Sequence, residues 1–171
     1  MLNARSLEKL KTLLILSDTH STSLKQLPKQ ILDKLSEVDL VLHAGDHTEE
    51  GFYDELSSAC KLYAVHGNMD SQELKHKLPR SLTIEVKGVK IGLTHPAEGG
   101  LPLGIEKRVI SAFKDVDVIV YGHTHRASHS KRDNILLINP GSATGAFPAL
   151  SKTYAILRVE DEKVSFEIIK V

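Results

Sequence analysis

Five short clusters in this 171-residue chain combine side chains that can hold divalent metal ions: Asp18-Thr19-His20, Gly45-Asp46, Gly67-Asn68, His95 and Gly122-His123-Thr124-His125. Carboxylate, imidazole and amide oxygen together suit hard-to-borderline divalent ions. Thiolate is outside the set, because Cys60 is the single cysteine and no Cys pair exists to hold zinc. Taken singly the clusters say less. A turn aspartate beside a surface histidine also accounts for Asp18-Thr19-His20, and Gly-Asp after a strand is a common turn with an Asx-type hydrogen bond. Gly122-His123-Thr124-His125 is more specific, since two imidazoles two residues apart after a glycine can address neighbouring metal positions.

The elements that must position these clusters are legible in the apolar pattern. Leu13–Leu16, Leu40–Leu42, Leu62–Val65 and Val118–Tyr121 are short unbroken apolar runs, each closely followed by one cluster. Such runs suit strands buried on both faces. Leu24, Leu27, Ile31, Leu32 and Leu35 have helical spacing, which predicts a helix over 24–35 with Pro28 in its first turn. A second helix is expected over Glu49–Ala59 and a third over Ile105–Phe113. Hairpins are expected for Leu82–Val86 with Val89–Leu93, Ser128–Lys131 with Ile135–Ile138, and Thr153–Val159 with Val164–Ile169. The fold these elements predict is α/β: a four-layer α-β-β-α sandwich, with two mixed sheets face to face and helices outside. Ligands bind beyond the carboxyl ends of parallel strands, so clusters distant in sequence are expected to converge on one cleft.

Composition narrows the function classes. Acidic and basic residues balance at 22 each, with 41% hydrophobic residues, which fits one domain with a real core and disfavours a basic nucleic-acid binder. Met1 to Lys11 is mixed and charged, and no later run approaches the roughly 20 apolar residues that cross a bilayer. Together with low cysteine, this predicts a soluble, unexported, cytoplasmic protein that does not bind membranes.

The order of the clusters, together with His43-Ala44-Gly45-Asp46 and Asn139-Pro140-Gly141-Ser142, resembles the calcineurin-like metallophosphoesterases. The similarity is closest to their small bacterial and archaeal phosphodiesterase branch, which also includes the retromer scaffold subunit. It runs from about residue 11 to 171, leaving residues 1–10 as an N-terminal extension to a single metallophosphoesterase domain. The resemblance implies two divalent ions, manganese first, with nickel, zinc, iron or magnesium admissible. Asp18, His20 and His125 would hold one ion, Asn68, His95 and His123 the other, and Asp46 would bridge them; Asp46, Asn68 and His95 count as catalytic as well. It also implies a phosphodiesterase that hydrolyses a small phosphate ester by in-line attack of a metal-bridging hydroxide. Two divalent ions less two aspartates and one hydroxide leave about one positive charge, which suits an anionic substrate. The alternatives are a phosphomonoesterase, or a scaffold of the retromer-subunit kind with little or no chemistry.

Two positions depart from the family pattern. Many larger members have a histidine directly after Gly-Asn to assist the leaving group, whereas this chain has Met69, which has no proton to give. Pro96 follows His95 where relatives usually have glycine, which removes an amide donor. His66 is a candidate substitute acid, with a packed turn histidine as the other reading. His43 is expected to orient a ligand, His47 to face substrate, Asp70 to fix its loop, and His76 and His129 to lie at the surface. Arg80 and Arg126 could meet phosphate or form exposed salt bridges. Asn139 and Ser142 could support the cleft or simply form a turn, and loops 97–104 and 145–151 are expected to shape the pocket.

Overall fold

The computed structural model describes residues 10–96 and 104–171. Among the described residues, ten strands form two five-stranded sheets. The first has the order β10-β9-β1-β2-β3, where β1 is Leu10–Leu16, β2 Leu40–His43, β3 Leu62–Ala64, β9 Thr153–Glu160 and β10 Lys163–Lys170. The second has the order β4-β5-β6-β8-β7, where β4 is Ser81–Val86, β5 Val89–Thr94, β6 Val118–Tyr121, β7 Ser128–Arg132 and β8 Ile135–Asn139. In the first sheet the parallel strands β1-β2-β3 run to one edge with β9 and β10 antiparallel on the other side, and in the second the parallel centre β5-β6-β8 is flanked by antiparallel β4 and β7. The expected hairpins are the antiparallel pairs β4-β5, β7-β8 and β9-β10; the fourth antiparallel pair, β1-β9, joins strands far apart in the chain.

Side-chain alternation fixes the layers. Leu13 and Ile15 of β1 point between the sheets, where they meet Leu42, Leu157, Ile91, Leu93, Val118 and Val120 in the largest core. Leu14 and Leu16 point the other way, onto Ile31 of α1 (Lys29–Lys34) and Phe52 and Leu56 of α2 (Glu50–Ala59). On the far side of the second sheet, Ile119, Tyr121 and Leu137 pack on Ile105 and Val109 of α4 (Ile105–Ser111). The chain is therefore a four-layer α-β-β-α sandwich. No helix among the described residues is long and apolar enough to cross a membrane.

The helix expected over 24–35 is two pieces. A 3-10 turn at Leu24–Gln26 carries a Ser23/Gln26 capping box, and α1 starts only after Pro28, which stands at its N-cap with ψ 140°. Extended backbone at Pro28 interrupts the helix, while Leu27, Ile31 and Leu35 still reach the same core. α3 (Gln72–Lys77) was not foreseen: Leu74 is its one buried side chain, so it shows no apolar period, and Ser71 caps it by accepting from the Leu74 amide. Residues 1–9 of the expected extension, and 97–103 of one pocket loop, lie outside the described residues.

Candidate metal centre

The parallel strands of both sheets end at one edge of the sandwich, and pairing places their last residues level: Leu16 beside His43, His43 beside Ala64, and Thr94 beside Tyr121. The loops that leave this edge are tied together. Amides of Asp18, His20 and Ser21 donate to the carbonyls of Gly45, Asp46 and His47. Both Asp18 carboxylate oxygens accept from the His123 amide at 3.1 Å. All seven sequence-derived ligand candidates come together here.

They form two groups that share one carboxylate. In the first, Asp18, His20, Asp46 and His125 bring ligand atoms within 4.8 Å of one another. His20 Nε2 lies 3.3 Å from His125 Nε2 and 3.5 Å from Asp46 Oδ2, and His125 Nε2 lies 3.5 Å from Asp18 Oδ1. In the second, His95 Nε2 is 3.3 Å from the same Asp46 Oδ2 and 3.2 Å from Asn68 Oδ1, which in turn is 3.2 Å from His123 Nδ1. Asp46 Oδ1 is occupied by the Met69 amide at 2.8 Å, which leaves Oδ2 to face both groups.

Backbone carbonyls outside the cluster select the imidazole atoms that point into it. His95 Nδ1 donates to Ala44 O at 2.7 Å and His125 Nδ1 to Ala146 O at 2.9 Å. Each Nε2 then presents a lone pair when the ring is neutral, the arrangement that orients a metal-ligating histidine. No side-chain type in the sequence signals these two carbonyls. Five of the seven residues, Asp18, His20, Asp46, His123 and His125, have φ between 43° and 83°. That region costs a non-glycine residue on the order of 1 kcal/mol or more and persists only where neighbours hold it, characteristically at functional sites. Close approach also demands glycine: a Cβ on Gly67 would lie 2.1 Å from Asp46 Oδ1, and one on Gly122 2.0 Å from Ser17 Oγ.

Titration fits the geometry. Burial pushes the Asp18 carboxyl above its ordinary value, against the pull of His95 and His125. For Asp46 burial acts upward too, but the hydrogen bond and charge of His95 hold the carboxyl below its usual range. Burial lowers His20 and His123, favouring the neutral, lone-pair form, whereas in His95 it is outweighed by Asp46 and the pKa rises. Two facing Nε2 atoms and two buried carboxylates bring oxygen and nitrogen donors together, and a divalent cation would take the place of the protons that Asp18 and His95 favour without one. Such a set fits divalent cations.

Other expectations resolve around the cluster. His47 does not face substrate: it is fully buried, its Nδ1 is 3.2 Å from Asp70 Oδ2, and its ring stacks on His43 at 3.8 Å. Asp46 stands at φ 57°, and the side chain that follows it is fully buried. His43 braces Thr19 Oγ1 at 3.1 Å, and burial, then His47, holds its pKa well below the ordinary value. Asp70 fixes its loop, accepting from the Thr48 and Gly67 amides. Asn139 and Ser142 turn the chain and brace the site at once: Asn139 Nδ2 donates to Gly122 O and Thr124 Oγ1, and Ser142 Oγ to Asp18 O. His66 lies outside the cluster in an adjoining groove with Arg80 and Pro96. His76, His129 and Arg126 are exposed.

The sequence profile of the calcineurin-like phosphoesterase superfamily domain matches residues 12–162. The chain belongs to that family. Among its calcineurin-like relatives, a "Probable metallophosphoesterase" of Methanocaldococcus jannaschii is 38% identical over 151 residues, covering 86% of this chain and 76% of the relative. A phosphodiesterase of the same organism is 27% identical over 162 residues, covering 87% and 93%. The structure of vacuolar protein sorting 29 from Cryptosporidium parvum superposes with a TM-score of 0.75 at 22% identity, covering 95% and 98% of the two chains, a likeness of fold.

Proposed function

We propose that this calcineurin-like chain is a divalent-metal-dependent phosphodiesterase with a dinuclear centre. The observation that carries the reading is the shared carboxylate oxygen: Asp46 Oδ2 lies between His20 Nε2 of one donor group and His95 Nε2 of the other. Asp18, His20 and His125 would hold one ion, Asn68, His95 and His123 the second, and Asp46 both. When bound, the ions would supply an activated water and offset charge on the phosphate oxygens. The diester preference draws on the relative named a phosphodiesterase and on chemistry at Met69.

The chain's own residues orient and support. The Ala44 and Ala146 carbonyls hold the His95 and His125 rings so that neither can rotate its Nε2 away. The Met69 amide holds Asp46 against the same rotation, but the Met69 side chain, 58% exposed, has no proton for a leaving group. Good leaving groups, such as nitrophenolate in an activated diester, are therefore expected to react best.

The test strips metal, restores manganese, nickel, zinc or magnesium separately, and assays bis(p-nitrophenyl) phosphate beside p-nitrophenyl phosphate. Metal-dependent turnover that favours the diester and is lost in His123→Ala supports the proposal. Turnover of neither ester with any ion rejects the enzyme, and faster monoester turnover rejects the diester preference.

A further inference from the structure

The two imidazoles of the first donor group are held in different ways. His125 Nδ1 donates to the Ala146 carbonyl at 2.9 Å, whereas the partner of His20 Nδ1 is the Thr48 hydroxyl at 3.4 Å. A carbonyl can only accept, but a hydroxyl either accepts from a ring N–H or donates to a bare ring nitrogen. Thr48 can therefore hold the His20 ring in one orientation whichever ring nitrogen carries the proton. That orientation is the one in which His20 Nε2 faces His125 Nε2 at 3.3 Å and Asp46 Oδ2 at 3.5 Å.

Placing the hydroxyl there strains the backbone. Thr48 has φ 94°, the largest positive φ among the non-glycine residues described, and no other residue of that set is β-branched. For a branched side chain this is a genuine outlier, and such strain persists only where neighbours over-determine it. The Thr48 amide donates to Asp70 Oδ1 at 2.7 Å, its carbonyl accepts from the Ser71 amide at 3.0 Å, and it forms a parallel bridge with Ser21, the residue after His20. All of these contacts engage the main chain of Thr48 alone, so glycine could make them without the strain. What threonine adds is the hydroxyl.

We infer that Thr48 is a positioning residue of the metal centre: its strained backbone sets a hydroxyl against His20 Nδ1, which keeps Nε2 aimed at Asp46 and His125. The inference rests on the proposed metal centre and adds to it a residue outside the ligand set. Partners that orient a ligand in this way are worth about 10- to 100-fold in metal affinity. A contact of 3.4 Å is long for a hydrogen bond, which places Thr48 at the lower end of that range.

The experiment compares substitutions that separate the hydroxyl from the shape. Thr48→Val keeps the branch and the strain but has no hydroxyl, Thr48→Ser keeps the hydroxyl without the branch, and Thr48→Gly keeps neither. Manganese is titrated calorimetrically into the metal-free proteins. Affinity is expected to fall about tenfold in Thr48→Val and Thr48→Gly and to stay within about threefold of wild type in Thr48→Ser. In parallel, nuclear magnetic resonance of metal-free protein carrying isotope-labelled histidine follows the ring nitrogens. The His20 Nδ1 signal is expected to move in Thr48→Val and Thr48→Gly and to return toward its wild-type position in Thr48→Ser. His95 Nδ1, bonded to Ala44 O, should hold its position throughout.

Manganese affinity retained in Thr48→Val, or lost equally in Thr48→Ser, would overturn the assignment. Because Thr48→Gly relieves the strain, it repeats the comparison if Thr48→Val does not fold. If wild type takes up no manganese, the metal-centre reading itself fails, and the resonance still decides what Thr48 does. A His20 Nδ1 signal that moves without the hydroxyl and is rescued by serine then supports the positioning role, and one that stays in place overturns it.

Discussion

The two halves of the candidate centre are built differently. Asp18 is fully buried, and the side chains of His20 and His125 keep 21% and 10% of their surface. That half is clamped by carbonyls and hydroxyls: Ala146 O on His125, Thr48 Oγ1 near His20 at 3.4 Å, and Ser142 Oγ beneath Asp18. The other half joins one buried residue, His95, to an exposed Asn68 and a half-buried His123, and opens onto the adjoining groove. On the proposed reading, the inner half would be pre-organised to hold an ion, and the outer half would hold an ion and a substrate together. Preorganisation converts donor strength into affinity because less ordering remains to be done on binding.

Asp46 belongs to both halves, so its loss should erase the contrast. Asp46→Asn keeps the shape and the bond to the Met69 amide but removes the one carboxylate shared by the two groups. Turnover of an activated diester is expected to fall by at least about a thousandfold, with unchanged circular dichroism showing that the fold survives. A residual rate within tenfold of wild type would mean that the halves do not work as one centre.

The next largest effect tests the openness of the outer half. Because Met69 contributes its amide while its side chain stands in solvent, Met69→His should preserve the loop and add a proton donor. Hydrolysis of diesters with poor, alkoxide-type leaving groups is expected to rise by about a hundredfold, with little change for nitrophenyl esters. An equal change for both ester types would show that the substitution moved the loop instead.

Asp70 is the strut between the halves, accepting from Thr48 N near His20 and from Gly67 N beside Asn68, with His47 Nδ1 as its third partner. These bonds outweigh burial and hold its pKa well below the ordinary carboxylate value. Asp70→Asn keeps one acceptor oxygen and loses the charge, which should cost about 2 kcal/mol. In thermal unfolding of the metal-free protein that corresponds to a drop of roughly 4–8 °C. A shift below about 1 °C would mean that the two loops are held without it.

Much of this was legible in the sequence, for reasons that differ between the strands and the site. The hairpins at Lys87-Gly88 and Asp133-Asn134 rest on local turn chemistry, and both show the positive φ such turns use. The ligand clusters were legible because each followed an apolar strand, and parallel pairing necessarily gathers strand ends at one edge. α3 and the break at Pro28 were not: one helix has a single buried residue, and the other follows a period that survives the interruption of its backbone. Nor was the groove, since Arg80 read equally as a phosphate contact or an exposed salt bridge, and only the fold brings it onto one wall with Lys75 of α3 and Arg108 of α4. His47 was misread because the direction of a residue after a left-handed aspartate depends on that one φ angle.

The smallest effect tests the contrast itself. If the inner half is pre-organised and the outer half shares its ligands with substrate, the metal-free protein should take up manganese in two resolved steps, separated by at least about tenfold in affinity. His20→Ala should remove the tighter step, because it breaks the group in which His20, His125, Asp18 and Asp46 converge within 4.8 Å. His123→Ala should weaken only the second step, because the His123 side chain meets the centre through Asn68 Oδ1 and the His95 ring, both in the second group. Calorimetry or manganese electron paramagnetic resonance reads both steps without substrate, independent of turnover. A phosphate analogue added afterwards should tighten the weaker step and leave the stronger one alone, since only the outer half opens onto the groove. Two steps of equal affinity, or a His123→Ala variant that loses the tight step, would reverse the assignment of inner and outer halves and show that burial does not set the order in which this cleft fills.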